Sequence, residues 1–193
     1  MLQRSEAVRI ILETLNSGDV AFFATGMISR EAFTFLDRKE NFYVIGSMGL
    51  VSSLALGVAL AQPDKTVIVV DGDGSVLMDM GTLAQVADLK PRNLFHVVLD
   101  NESYESTGNQ PSISRNTDLA RVAKAAGYPT AKKVSLGRKL KRLLQQREGL
   151  EKPVFLLVKV DKMGSPGIGR VALSPDEMTW RLRSALKEGA RCP

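Results

Sequence analysis

Thr66-Val67-Ile68-Val69-Val70-Asp71-Gly72-Asp73-Gly74-Ser75 is the stretch on which the reading of this chain turns. Its first five residues are apolar or β-branched on both alternating faces, as in a strand of a parallel sheet covered on both sides. The runs Val20 to Ala24, Leu94 to Leu99 and Pro153 to Val160 have the same character. Between and around them lie helical patterns: residues 6–16, with Val8, Ile11, Leu12 and Leu15 on one face, then 48–61, 80–90, 117–126, 136–147 and 175–188. The last opens on Ser174-Pro175-Asp176-Glu177, which offers a capping serine, a first-turn proline and a glutamate at the capping-box position. Strands alternating with helices predict an α/β fold, a doubly wound and mainly parallel sheet with helices on both faces. Such folds take their ligands beyond the carboxyl ends of the strands, so the chemistry is expected just after Ala24, Val70 and Leu99.

The chain has 193 residues, 44% of them hydrophobic, enough for one buried core, and a single domain over residues 1–193 is expected. No run of about eighteen apolar residues occurs, and the amino terminus enters a helical pattern without the apolar stretch of a signal peptide. The expectation is a soluble, cytoplasmic protein with no membrane partner. Cys192 is the only cysteine, which excludes an internal disulfide and a cysteine-bound metal or iron–sulfur site. The net charge of +5 is concentrated in Lys132, Lys133, Arg138, Lys139, Lys141, Arg142 and Arg147, interleaved with a stripe of Leu136, Leu140, Leu143 and Leu144. A solvated helix face is favoured over nucleic-acid binding, because no recognition motif or interleaved aromatics accompany the basic residues. Gly164 to Arg170 is glycine-rich but lacks a phosphate-loop context and reads as a connecting loop.

Asp71 to Ser75 sets a carboxylate between two glycines at a strand end. Glycines let backbone N–H groups approach an anion, and a carboxylate among them would repel a phosphate unless a cation lay between. Hard oxygen ligands suit magnesium, which binds through one or two protein oxygens plus the phosphates of its ligand. A second protein ligand is offered by Asp100-Asn101-Glu102-Ser103-Tyr104, which closes the next strand at the same end of the sheet. Twenty-five residues, Ser75 to Leu99, separate Gly74 from Asp100, room for a helix and a returning strand.

Gly72-Asp73-Gly74 followed by Asp100-Asn101 resembles the signature of thiamine diphosphate enzymes, with Asp100 standing where the first of two asparagines is expected. The resemblance implies that Asp73, Asn101 and the main-chain carbonyl of Ser103 hold magnesium. It implies that Gly72, Gly74 and Ser75 face the diphosphate, with Thr25 and Gly26 touching it from the first loop and Tyr104 following the metal loop. The bland reading of Asp73 and Asn101 is as turn residues capping strand ends. Upstream, Gly46-Ser47-Met48-Gly49 matches the segment that in this family lies beneath the cofactor. Met48 would prop its bent shape, a nearby carbonyl such as that of Gly46 would accept from the aminopyrimidine, and Ser47 sits between them. Ordinary core packing is the alternative for Met48.

The segments Ser29-Arg30-Glu31, Asn41-Phe42-Tyr43, Gly46 to Gly49 and Glu105 to Pro111 are similar to the phosphonopyruvate and sulfopyruvate decarboxylase group, over about residues 5–188. That resemblance implies decarboxylation of a small 2-oxo acid with an anionic head group, releasing carbon dioxide and an aldehyde, with the cofactor carrying the hard chemistry. It also implies a pyrimidine-binding domain, absent here and carried on a separate α-type subunit in divided sulfopyruvate decarboxylases. The activating glutamate belongs to that partner, so a homodimer or hetero-oligomer is expected and no catalytic residue is assigned here. A phosphonopyruvate decarboxylase subunit, or a non-catalytic regulatory module that binds the cofactor, are the alternatives. An oxidoreductase subunit with cluster cysteines and a half transketolase fit less well. His96, inside an apolar strand, reads as a hydrogen-bonded core residue. Glu105, Tyr104, Asn109 and Gln110 could face substrate, and Arg30 and Arg115 could grip a sulfonate or phosphonate, with surface solvation an equal reading.

Overall fold

The computed structural model describes residues 2–161 and 167–187. Cys192, residue 188 of the last expected helix and Gly164 to Pro166 of the expected loop lie outside the described residues. Gly167 to Arg170 carry neither helix nor strand.

The chain begins with α1 (Arg4–Glu13), β1 (Val20–Phe23), α2 (Met27–Phe35), β2 (Asn41–Tyr43), α3 (Val51–Ala61) and β3 (Val67–Gly72). It continues with α4 (Asp73–Met78), α5 (Gly81–Leu89), β4 (Leu94–Asp100), β5 (Ser103–Tyr104), β6 (Gln110–Pro111) and α6 (Leu119–Ala126). It ends with β7 (Thr130–Val134), α7 (Gly137–Gln145), β8 (Val154–Lys159) and α8 (Pro175–Lys187). Six strands form one sheet in the order β2-β1-β3-β4-β8-β7, every pair parallel. β5 and β6 form a separate antiparallel ribbon.

The expected doubly wound α/β fold is therefore present. Right-handed crossovers place α2 and α7 on one face and α3, α5 and α6 on the other. The observed packing agrees: α1 lies against α2 and α7, while α3 lies against α5 and α5 against α6. The central strands are buried on both faces, so Val67 to Val70 and Val154 to Val158 read as unbroken apolar runs.

Six elements were not anticipated, the two-residue strands β5 and β6 among them. β2 is a three-residue edge strand, and β7 (Thr-Ala-Lys-Lys-Val) is a polar edge strand whose lysines face solvent. α2 starts at Gly26, whose φ of +91° suits glycine, and has no side-chain cap. α4 begins at Asp73 itself, so the Asp-Gly-Ser segment is the first turn of a short helix rather than an open loop. The capping box of α8 is formed: Glu177 N donates to Ser174 Oγ at 3.2 Å and Ser174 N to Glu177 Oε2 at 2.7 Å. Of the expected basic face, Lys132, Lys133, Arg138, Lys139, Lys141 and Arg142 are exposed, but Arg147 turns inward to pair with Asp19 at 2.7 Å. Among the described residues no helix is long and apolar enough to cross a membrane.

The first strand's chain turns toward β2 and the third strand's toward β4, so the carboxyl ends of β1 and β3 flank the switch point where such sheets open a crevice. One buried hydroxyl gathers the backbone there: Ser29 Oγ lies 2.9 Å from the carbonyls of Phe23 and Ala24 and 3.4 Å from that of Val44. Ser29→Ala should lower unfolding free energy by about 0.5–1.5 kcal/mol, the net worth of a buried hydrogen bond, because the Phe23 and Ala24 carbonyls keep their backbone donors. Urea unfolding measures this; an unchanged midpoint would show that the hydroxyl does not hold the two strand ends.

Candidate active site

Where β3 ends, Asp73 enters the first turn of α4 with only 2% of its surface exposed. Its Oδ2 accepts from Ser112 Oγ and, at 2.9 Å, from Ser114 Oγ. Burial pushes its carboxyl above the ordinary range; Ser112 opposes that, the nearby charge of Asp100 adds to it, and Ser114 and the Gly74 backbone again oppose it. The two serines lie 2.7 Å apart, and Ser114 also reaches Asp100 Oδ1 at 2.9 Å. Two hydroxyl protons thus serve four oxygen–oxygen contacts. Such a proton-poor cluster of buried oxygens is matched by a hard cation.

Where β4 ends, Asn101 Oδ1 accepts from Ser103 N at 3.0 Å and Asp100 Oδ1 from Glu102 N at 3.1 Å, two side-chain-capped turns in succession. Glu102 adopts φ of +57° inside them. Asp100 is fully buried and is answered by Lys159 Nζ at 2.7 Å, which also binds Glu102 at 2.6 Å. Burial acts to lower the Lys159 ammonium, but its bonds to Asp100 and Glu102 prevail and hold it above its ordinary value of 10.5. Ser103 is 5% exposed, and its hydroxyl has no hydrogen-bond partner among the described residues.

A cavity of about 60 Å³ lies between these strand ends, lined among others by Thr25, Gly26, Met48, Gly72, Asp73, Gly74, Asn101, Ser103, Tyr104 and Glu105. Most of the expected residues are therefore brought together. Met48 is half-buried at the cavity wall rather than within the core. Three expected residues stand apart from that lining. Gly46 and Ser47 lie exposed on their loop, and the buried Ser75 accepts from Gly49 N at 3.2 Å, tying that loop to α4. Gly74 has its own reason: a Cβ there would come within 2.5 Å of the Tyr104 ring and 3.1 Å of the Met48 methyl.

Asn109 and Gln110 are exposed, and Arg115 sits 3.8 Å from Glu102; none of the three lines this cavity. His96 is a core residue as expected, 3.3 Å from Asp71 Oδ2, 3.5 Å from the Tyr128 hydroxyl and edge-on to Phe155.

The sequence assigns no role to Arg4, Glu31, Ser112, Ser114 or Lys159, although Glu31 lies in one of the family-like segments. Arg4 is buried at the cavity, bound to Glu31 through two 3.0 Å contacts and also to Glu105. No local signal marks it; Leu2 bridges Val160 and so carries the amino terminus to this edge of the sheet. Lys159 was readable as the one charge in the apolar run of β8. Ser112 and Ser114 follow directly on the quoted segment ending at Pro111.

Oxygen ligands dominate the site: among the described residues no group of three His, Cys, Asp or Glu side chains is placed to hold a metal. One carboxylate, one amide oxygen and a main-chain carbonyl, completed by oxygens of a bound diphosphate, is a donor set that suits magnesium. The unpartnered Ser103 hydroxyl and the proton-poor serine–aspartate cluster fit such a guest.

Comparison with known proteins gives the same direction. Residues 17–160 match the family model described as thiamine pyrophosphate enzyme, C-terminal TPP binding domain. A phosphonopyruvate decarboxylase of Streptomyces viridochromogenes is 38% identical over 94% of this chain and 45% of its own length, so the chain spans about half of that relative. A sulfopyruvate decarboxylase subunit beta of Methanococcus maripaludis is 36% identical over 97% of this chain and 99% of its own. A solved structure described as a candidate thiamin diphosphate-dependent enzyme from Mycobacterium smegmatis superposes with a TM-score of 0.72. It is 20% identical and covers 83% of this chain and 32% of its own, a likeness of fold.

Gly74→Ala should cost about 1–3 kcal/mol by overpacking against Tyr104, and less in a Tyr104→Ala background. Equal costs in both backgrounds, read by chemical unfolding, would sink the steric account. Lys159→Met should lower the unfolding midpoint at neutral pH, and Asp100→Asn on the same chain should restore part of it. Because the folded state raises the Lys159 pKa, its contribution is complete below pH 10.5 and is lost as pH rises through the raised value. An alkaline titration of stability that is identical in wild type and the double variant would refute the pairing.

Proposed function

The chain belongs to the thiamine pyrophosphate enzyme family, and from that premise we propose that it is the magnesium- and diphosphate-binding subunit of a 2-oxo-acid decarboxylase of the sulfopyruvate β type. The observation that carries this reading is the meeting of Asp73 and Asn101, from the ends of neighbouring strands, at one cavity with the unpartnered Ser103 hydroxyl. Asp73, Asn101 and the Ser103 carbonyl would hold the metal. Thr25, Gly26, Gly72 and Gly74 would face the diphosphate, and Met48 with Tyr104 would flank the cofactor above Gly74. Bound there, thiamine diphosphate would supply the electron sink that decarboxylation needs. The chain's own part is to anchor it, to orient it and to exclude water.

Residues 1–193 act in this reading as one domain. The pyrimidine side is left to a separate α-type subunit. An apolar patch beside the cavity loop, made of Leu50, Leu54, Met78 and Met80, is the surface we assign to it; Met78 is 61% exposed and lies next to Gly49. A phosphonopyruvate decarboxylase subunit is the second reading, favoured by the Streptomyces relative.

In calorimetry, thiamine diphosphate should bind only with magnesium present, and Asp73→Ala or Asn101→Ala should abolish measurable binding. With an α-type partner added, sulfopyruvate should release carbon dioxide at a rate the chain alone does not reach. Cofactor binding unchanged in Asp73→Ala would overturn the metal assignment. Binding without turnover, whatever partner is supplied, would favour a regulatory module.

A further inference from the structure

A second cavity, of about 340 Å³, adjoins the first and shares Thr25, Gly26 and Ser106 with it. Its remaining wall combines two guanidinium-bearing residues, Arg30 on α2 and Arg170 on the segment before α8, with the apolar Val44, Ile45 and Val171. Several arginines elsewhere in the described chain face an acid: Arg4 meets Glu31, Arg38 meets Glu40, Arg147 meets Asp19 and Arg181 meets Asp37. Among the described residues neither Arg30 nor Arg170 is in hydrogen-bond or ion-pair contact with a carboxylate. Ser29, the other polar residue of this wall, has its hydroxyl committed to the carbonyls of β1 and Val44 and is not available to a ligand.

We propose that this cavity is the subsite for the head group of the substrate, and that Arg30 and Arg170 bind a tetrahedral oxyanion, a sulfonate or phosphonate, while Val44, Ile45 and Val171 enclose its carbon stem. The proposal rests on the decarboxylase reading and sharpens it by assigning the selecting residues. A guanidinium presents forked donors that match two oxygens of such a group. Two of them facing one cavity repel each other until an anion enters, so a 2-oxo acid with a neutral side chain gains nothing from them and leaves both donors without a charged partner. Arg115, the other sequence candidate for this role, lies 3.8 Å from Glu102 and is absent from this wall.

The test is a titration of the whole chain with magnesium and thiamine diphosphate, using 3-sulfopropanoate, 3-phosphonopropanoate and propanoate as probes. Wild type should bind one or both oxyanion probes about tenfold more tightly than propanoate, and whichever is preferred identifies the head group. Arg30→Met and Arg170→Met should each remove most of that preference while leaving the affinity for thiamine diphosphate unchanged. In the reconstituted enzyme the same variants should raise KM for the anionic substrate far more than they lower kcat. The proposal is overturned if wild type shows no preference, or if the variants keep it. It is equally overturned if the variants lose cofactor affinity instead, which would assign both arginines to the diphosphate. Failure of wild type to bind the cofactor at all would count against the decarboxylase reading, whereas the probe titration repeated without cofactor still reads the arginine cavity alone.

Discussion

Three carboxylates, Asp71, Asp73 and Asp100, are buried at the carboxyl ends of two neighbouring strands, and the rest of the structure is arranged around keeping them there. Burying an ionised carboxylate without compensation costs several kcal/mol. Asp71 is met by His96 and by the Gly72 backbone N–H at 2.8 Å. Asp100 is met by Lys159 and Ser114. Asp73 has only hydroxyl and backbone donors and, unlike Asp100, faces no lysine or arginine among the described residues. In the proposed reading, a dipositive ion beside it would turn this buried charge into a binding determinant. The departure of Asp100 from the asparagine of the family signature is tolerated by the same logic, because Lys159 arrives from the adjacent strand to neutralise it.

The compensation is spread over distant parts of the sequence. Asp73 depends on serines some forty positions later, Asp100 on a lysine of β8, and the loop over the cavity on Arg4 near the amino terminus. The parallel sheet makes this possible, since all its strands end on one side, where β3, β4 and β8 bring Asp71, Asp100 and Lys159 to the same edge. Helices on both faces keep water from the strands, while the strand ends stay open.

How much of this the sequence disclosed follows from how local each signal is. The central strands were legible because burial on both faces leaves them apolar except for His96 and the charged residues at their carboxyl ends. Asp73 and Asn101 were legible because they lie at strand ends with the connecting helix between them. β7 was missed because an edge strand needs an apolar residue only where it touches the core, and Lys132 and Lys133 gave it the look of a loop. α4 was missed because Gly74 lowers helix propensity; the close approach of Tyr104 is what requires glycine there, and that contact is not local. Ser112, Ser114 and Arg4 carry no pattern of their own, and only the folded geometry brings them to the carboxylates.

The strand order has a consequence for how the molecule is made. β8 is inserted between β4 and β7, although β7 precedes it in the chain. During synthesis β4 therefore waits with one edge open, and β7 has no neighbour to join, until residues 154–159 have left the ribosome. Lys159 is the last residue of that strand. The nascent chain thus carries Asp100 without its cation while the fifty-nine residues up to Lys159 are made. Its closing step supplies, at once, the missing hydrogen-bonding edge and the missing positive charge.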